Sequence, residues 1–471
     1  MSDQMPPLGP PYGPAGPPPP PHFPEHPPTE WGPRPFEPIP GPPLPPAGDN
    51  RARLAVAIAV VAAASMFVAV LAYARSDDGP AAIARPPRTT TTEPDSSASA
   101  SDSNSSGSDS SGSSASSTPA EVEQAIASIK QFVEQQRGLK FKSDVAVSLL
   151  DDQPFADAFL KEFDQGRAQT LEQQEVLKSL GLVDRTRDVV ADMRQLVSIG
   201  VGGFYNPKTK ELAVRGTTLT PLRRQILAHE LTHALDDQWF DLNRAQLDSA
   251  DDETGFGFDT LVEGSARVVE QAYHDTVLTS TEQAQADAER SSNALNPALY
   301  SLPPVLLSLL EAPYESGATL VMRIEQGGSS KLNDAFSSPP VTSEQALEPD
   351  KYLSGEVAVP VPDPQPAGGL SASNHGALGV LMLGELLDDG RLVDATNLDS
   401  ALLGWGGDRY VTWVDGDRTC IQDVVVGDDA ASTGVLLQRF QDWASSAGVT
   451  ATVAPLSSAA GSPFSITSCS I

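Results

Sequence analysis

The chemistry-bearing residues lie in PLRRQILAHELTHALDDQWF, residues 221–240, which contains His229-Glu230-Leu231-Thr232-His233. On a helix, residues four apart stand one above the other on the same face. The two imidazoles can therefore converge on a single Zn2+. Glu230, one residue on, is turned about 100° around the axis and can reach a water beside such an ion without being a ligand. Hydrolysis needs these parts together. Zn2+ polarises a carbonyl and brings the pKa of water toward ~7, and the carboxylate takes the proton and delivers it to the leaving amine. No covalent enzyme nucleophile is required. Two other readings compete: a pair of ordinary helix histidines, and a structural zinc. The first has to be a coincidence in a chain with 6 histidines. The second normally draws on cysteines in a closed set of four, and the chain's two, Cys420 and Cys469, lie far from the motif.

A catalytic zinc needs a third protein ligand. Downstream, DDETGFGF at 251–258 reads as a turn-rich acidic loop, and DTLVEGSARVVEQAYH at 259–274 as a helix. Glu263, Arg267, Glu270 and His274 share one of its faces. Glu263 is the expected third ligand, because Gly264 beside it permits close approach of the two helices, whereas glycine inside a helix otherwise costs ~1 kcal/mol. His274 and Glu270 are the alternatives. Asp236 or Asp237, about one turn after His233, could orient a ligand imidazole. A donor for the developing oxyanion is also needed. Tyr314, Arg409, Tyr410 and His375 are candidates, and the sequence does not choose among them.

The elements around the motif follow from pattern. Thr220 and Pro221 suit the N-cap and first helical position of the motif helix. Before it, GGFYNPKTKELAV at 202–214 reads as a β-hairpin turned at Asn206-Pro207. Val122, Ile126, Ile129 and Val133 recur at helical spacing behind Thr118-Pro119. A short strand is expected within 139–150, and helices at 155–163 and 169–180 with Gly181 as a stop.

Of 471 residues, the first 50 hold 21 of the 42 prolines, and 14 serines fall within 96–117. Neither block can bury enough apolar surface to offset the entropy of ordering it. Residues 1–50 are expected to be a disordered Pro-rich tail, either solvated or a ligand for a scaffold partner. Residues 54–73, LAVAIAVVAAASMFVAVLAY, carry no charge or proline over a length that matches a bilayer core. They are expected to form a transmembrane helix, with 74–118 a disordered stalk and 119–471 the folded domain. On this reading the protein is single-pass in the cell membrane, N-terminus cytoplasmic and C-terminal domain extracytoplasmic, where Cys420 and Cys469 could pair. If they pair they close a loop of about 50 residues; the alternative is two free thiols. A formal charge of −31 excludes a basic nucleic-acid footprint.

HELTHALDD resembles the zinc helix of thermolysin-like metallopeptidases, whose third ligand is a Glu on a following helix. A wider resemblance, over about residues 120–443, is to an uncharacterised family of bacterial envelope-anchored, HExxH-containing proteins of metallopeptidase type. It is carried by RGL at 137–139, LGL at 180–182, GFYNPKTKEL at 203–212, AHELTHALDDQ at 228–238 and LVEGSA at 261–266. It continues through LPP at 302–304, PYESG at 313–317, GG at 327–328, PPVTSEQAL at 339–347, LGE at 383–385 and GWGGDRY at 404–410. The resemblance implies a mainly α (α+β), gluzincin-like fold with a small β element beside the zinc helix. It implies one catalytic Zn2+ held by His229, His233 and Glu263, with Glu230 as general base. Two positions depart from the pattern: Glu348 stands where the family often has His, and Arg267 where thermolysin-like enzymes have Asp four residues after the third ligand.

The expectation is therefore a zinc metallopeptidase acting on a protein or peptide substrate in the cell envelope. The alternative is a non-catalytic, zinc-bound binding or assembly protein on a peptidase-like scaffold, since fold does not dictate function.

Overall fold

The computed structural model describes residues 118–470, apart from 166, 245–251, 295, 329, 389, 391, 393, 447–449 and 458–460. The chain divides into two units, 1–48 and 49–471, and every described residue belongs to the second. The Pro-rich tail, the apolar stretch 54–73 and the Ser-rich run lie outside the described residues. Among the described residues no helix is long and apolar enough to cross a membrane. The longest apolar candidate, Pro304–Glu325, is interrupted by Glu311, Glu315, Arg323 and Glu325, and such charges are expensive in hydrocarbon. The expectation of a single-pass membrane protein with an extracytoplasmic domain is corrected accordingly.

The architecture is mainly helical with two sheets, an α+β arrangement. Helix α1 (Pro119–Arg137) opens with a capping box: Thr118 Oγ1 accepts from the Glu121 amide, and Glu121 accepts from the Thr118 amide. Strand β1 (Val147–Leu150) follows, then α2 (Asp152–Gln165), α3 (Arg167–Ser179) and α4 (Val189–Gly200). Gly181, at φ 78°, ends the expected helix near 180 in the left-handed conformation that glycine adopts without steric cost. Strands β2 (Gly203–Tyr205) and β3 (Leu212–Arg215) form the expected hairpin. With β1 parallel to β3 they make a three-stranded sheet in the order β1-β3-β2.

Helix α5 (Pro221–Phe240) carries the motif. Its N-cap is Thr220, whose hydroxyl accepts from the Arg223 amide. Every residue from Gln225 to Asp237 is buried, which marks a central helix enclosed on all sides. Ile226, Leu227, Leu231 and Leu235 pack with Ile129 and Val133 of α1, with Tyr205 and Val214 of the sheet, and with Val269 and Tyr273 of the next helix. That helix, α6, spans Asp252–Thr276. Residues 252–258, expected as a loop, are its first two turns. Phe258 is fully buried there with Leu320, Val321 and Phe336, and this burial outweighs the weak propensity of Thr254, Gly255 and Gly257.

The remaining helices are α7 (Ser280–Ala294), α8 (Pro304–Glu325), α9 (Ser330–Ser337), α10 (Ser343–Leu347) and α11 (Pro349–Ser354). A second sheet, not expected from the sequence, closes the chain. Strand β4 (Ala372–Gly376) precedes α12 (Gly379–Leu387). Then come β5 (Trp405–Asp415), β6 (Arg418–Gly427), α13 (Ala430–Ala444), β7 (Thr452–Pro455) and β8 (Phe464–Cys469). The strand order is β4-β5-β6-β8-β7, all antiparallel. Ile421, Val425, Phe464 and Ile466 pack under Phe440 of α13 and Leu381 of α12. Cys420 and Cys469 are register partners on β6 and β8 and form a disulfide. Beside them Asp423 is completely buried, and burial together with the neighbouring Asp408 carboxylate pushes its carboxyl well above the usual range.

Helices α6 and α8 touch backbone to backbone. A Cβ added at Gly264 would lie 2.1 Å from the Gly317 carbonyl oxygen, and one at Gly317 would lie 2.3 Å from the Thr260 oxygen. The close approach expected at Gly264 therefore exists, but its partner is α8, not the motif helix. Gly264→Ala should destabilise the fold by about 1–3 kcal/mol, the usual range for overpacking, and shift the adjacent Glu263. Thermal melting combined with metal retention would detect both effects.

Candidate metal centre

Helices α5 and α6 bring His229, His233 and Glu263 together. Their ligand atoms all lie within 4.8 Å of one another, and all three residues are buried. His229 Nε2 is 3.1 Å from Glu263 Oε2 and 2.9 Å from His233 Nε2, and His233 Nε2 is 3.2 Å from Glu263 Oε1. Three donors converge on one point without a basic side chain between them. Burial alone would push the His229 imidazole down, but contacts with Glu263 and Glu270 raise it to about 10. Glu263 is held below its usual value: burial opposes this, and the charge of His233 and the contacts with both imidazoles outweigh burial. These groups demand a positive charge among them, and a divalent cation satisfies that demand for all three at once. The donor set fits Zn2+ in composition, two imidazole nitrogens and one carboxylate. Protons and metal then compete for the same atoms.

Glu230 faces the opposite constraint. It is fully buried, and neither carboxylate oxygen has a hydrogen-bond partner of good geometry. Burial pushes its pKa well above the ordinary carboxylate value; the charge of His229 and, more weakly, the Tyr205 backbone oppose this, and the charges of Glu263 and Glu270 add to it. Strand β2 lies directly against it: a Cβ at Gly203 would sit 2.6 Å from Ile226 Cγ2 and 2.9 Å from Glu230 Oε1. Glycine at 203 thus lets the strand backbone reach the carboxylate that the motif assigns as base.

The support behind the ligands differs from expectation. Asp236 and Asp237 do not orient an imidazole. Asp236 is paired with Arg137 (Nε to Oδ1, 2.9 Å) and accepts from Ser265 at 2.6 Å. Asp237 accepts from Tyr205 at 2.5 Å, Lys210 at 2.6 Å and the Leu242 amide at 3.0 Å. The group behind His229 is Glu270, whose Oε2 lies 3.3 Å from Nδ1. Glu270 is braced by Arg267 at 3.2 Å and Arg290 at 3.1 Å. Burial would raise its carboxyl, but Arg267, His229 and Arg290 hold it at about 2. The change to Arg267 and the use of Glu270 therefore belong together: the arginine does not face the histidine but fixes the carboxylate that does. A carboxylate that orients a ligand histidine from behind is commonly worth 10- to 100-fold in metal affinity. Glu270→Ala should weaken zinc binding by about that factor, measured by chelator competition, with full occupancy still reached at saturating zinc.

His274 is not part of the cluster; it pairs with Asp275 at 2.7 Å and Asp287 at 3.4 Å. Tyr314, on α8, stacks its ring on His229 with centroids 5.8 Å apart. The other oxyanion candidates belong to the second sheet. Arg409 pairs with Asp363 at 2.8 Å, Asn374 donates to the Tyr410 hydroxyl at 3.3 Å, and His375 lies on β4. A second acidic group, Glu344, Glu356 and Asp428, already encloses a cation, because Lys351 Nζ lies 3.1, 2.5 and 3.1 Å from the three.

One more acid stands beside the cluster that sequence pattern alone did not single out. Asp259 lies one turn before Glu263 on α6, 8 % exposed, and burial plus the Glu263 charge raise it to about 8. Its i, i+4 relation to Glu263 was the available signal. The chain matches no family model, no curated protein and no solved structure.

Proposed function

We propose that this protein is a zinc-dependent metallopeptidase of gluzincin-like type, with His229, His233 and Glu263 as ligands and Glu230 as general base. The observation that carries the reading is the fully buried carboxylate of Glu230, with no hydrogen-bond partner of good geometry, beside a three-donor cluster. A buried carboxylate without a hydrogen bond is costly, and a structural metal site has no use for one. Bound zinc would supply Lewis acidity toward a carbonyl and acidify water. Glu230 would take the proton of the attacking water and hand it to the leaving amine. Its raised affinity for protons suits it to hold one between these events. Glu270, with Arg267 and Arg290, would keep His229 in one tautomer and orientation. A peptide fits as substrate because an edge strand, β2, lies against Glu230, and an extended chain is recognised by strands.

A second reading is a non-catalytic zinc-bound binding protein. It is favoured by the closure of the cluster: His229 and Glu263 are 0 % exposed and His233 is 4 %. Elemental analysis of the full-length chain and of His233→Ala tests the common premise. About one zinc per chain, lost in the variant, is expected. No zinc in a folded wild-type sample, even after zinc is supplied, would overturn both readings.

A further inference from the structure

We propose that Asp259 recognises a positively charged group of the substrate, so that the site selects peptides with a cationic residue or terminus next to the bond cleaved. The inference rests on the hydrolytic reading and adds a substrate class to it.

Asp259 shares its helix face with Glu263, one turn away on the side opposite Glu270. It is 8 % exposed and makes no hydrogen bond or ion pair with another described residue. The other buried acids of α6 each have partners. Glu270 has Arg267 and Arg290, Glu263 has the two imidazoles, and Glu253 accepts from the Ser343 amide and hydroxyl at 2.7 and 2.8 Å.

The local charge balance points the same way. Glu230, Glu263 and Asp259 place three carboxylates in one buried region. A divalent ion on the triad offsets two of them. Neither nearby arginine pairs with Asp259: Arg267 and Arg290 both contact Glu270, and Arg267 also lies 3.9 Å from Glu315. A lone buried carboxylate either keeps a proton or finds a cation.

Access favours the cation. Of the side chains around the triad, His229, Glu230, Glu263, Glu270 and Tyr314 are 0 % exposed, whereas His233 at 4 %, Asp259 at 8 % and the Arg267 side chain at 11 % keep some open surface. Asp259 is thus the carboxylate beside the triad that keeps open surface, which Glu230, Glu263 and Glu270 lack. A lysine or arginine side chain supplies the missing charge, and so does the ammonium of a peptide's N-terminus.

The test uses the zinc-loaded full-length protein and its Asp259→Asn variant, with zinc content measured first. Calorimetric titration compares three hydroxamates: N-acetyl-lysine, N-acetyl-norleucine and norleucine with a free amine. All three present the same zinc-binding group, so the readout is affinity and not turnover. N-acetyl-lysine hydroxamate should bind wild type about 10- to 100-fold tighter than its norleucine counterpart, as a charge-assisted hydrogen bond permits. The advantage should vanish in Asp259→Asn, with N-acetyl-norleucine hydroxamate unchanged. An advantage confined to the free-amine compound, and lost in the variant, supports the proposal with the N-terminus as the recognised group. Equal binding of all three to wild type overturns it and leaves the peptidase reading standing. Loss of zinc from Asp259→Asn makes Asp259 a ligand and also overturns it. A wild type that holds no zinc and binds none of the compounds defeats the underlying reading, and the proposal with it.

Discussion

Glu230→Gln is expected to lower peptide hydrolysis by about 10²- to 10⁴-fold, the usual contribution of a general acid–base group, while zinc stays at wild-type stoichiometry. The substitution is isosteric. It breaks no hydrogen bond of good geometry, so the variant should melt no lower than wild type. That combination separates a base from a ligand. A ligand change would release metal, and a packing change would lower the melting temperature. Undiminished hydrolysis in Glu230→Gln would mean that the proton is taken elsewhere. The measurement is turnover of a quenched peptide library by both proteins, with zinc content and melting curves recorded on the same samples.

The second large effect concerns the opposite end of the chain. Cys420 and Cys469 are separated by 49 residues and joined by a disulfide. On the chain-entropy account, closing a loop of that length stabilises the native state by about 4 kcal/mol. The bridge links β6 to β8 within a small buried group that includes Val411 and Trp413. Replacing both cysteines by serine should lower the urea midpoint of the C-terminal sheet by an amount equivalent to about 4 kcal/mol. Zinc binding at low urea should be unaffected, because all three ligands lie on α5 and α6. If zinc is lost in parallel, the sheet and the metal centre unfold as one unit.

The candidate metal centre, as a cluster of His229, His233 and Glu263, was legible because it is local. Two histidines and the Glu between them occupy one turn of a helix with readable ends, and Glu263 follows on the next. The residues around it were not legible in the same way. Glu270 and Arg267 could be placed on one face, but which of them meets His229 depends on the rotation of α6 against α5. That rotation is set by packing such as that of Leu231 and Leu235 with Val269 and Tyr273, which leaves no mark on local pattern. Asp236 looked well placed at one turn from His233, yet Arg137, distant in sequence, claims it. The C-terminal sheet is a different case. WGGDRYVTWVDGDRTCIQDVVVG contains β-branched and aromatic runs around Asp415-Gly416, an ordinary hairpin signal. The hairpin is local, but its place under α12 and α13 is set by tertiary packing that no local pattern carries. The start of α6 failed for a third reason: glycine and acidic residues argue for a loop unless a core exists to receive Phe258.

The Gly264–Gly317 contact also constrains how a substrate could reach the centre. With backbones this close, α6 and α8 behave as a single beam: sliding or turning one against the other would drive a carbonyl into a Cα. Glu263 and Asp259 ride on one half of that beam and Tyr314 on the other, so none of the three can swing aside alone. If the centre admits a peptide, as proposed, the shorter element beside it is β2, which leans on Glu230 and pairs with β3 over three residues, with Tyr205 tied to Asp237. The proposed chemistry would thus ride on the most tightly joined pair of helices in its neighbourhood.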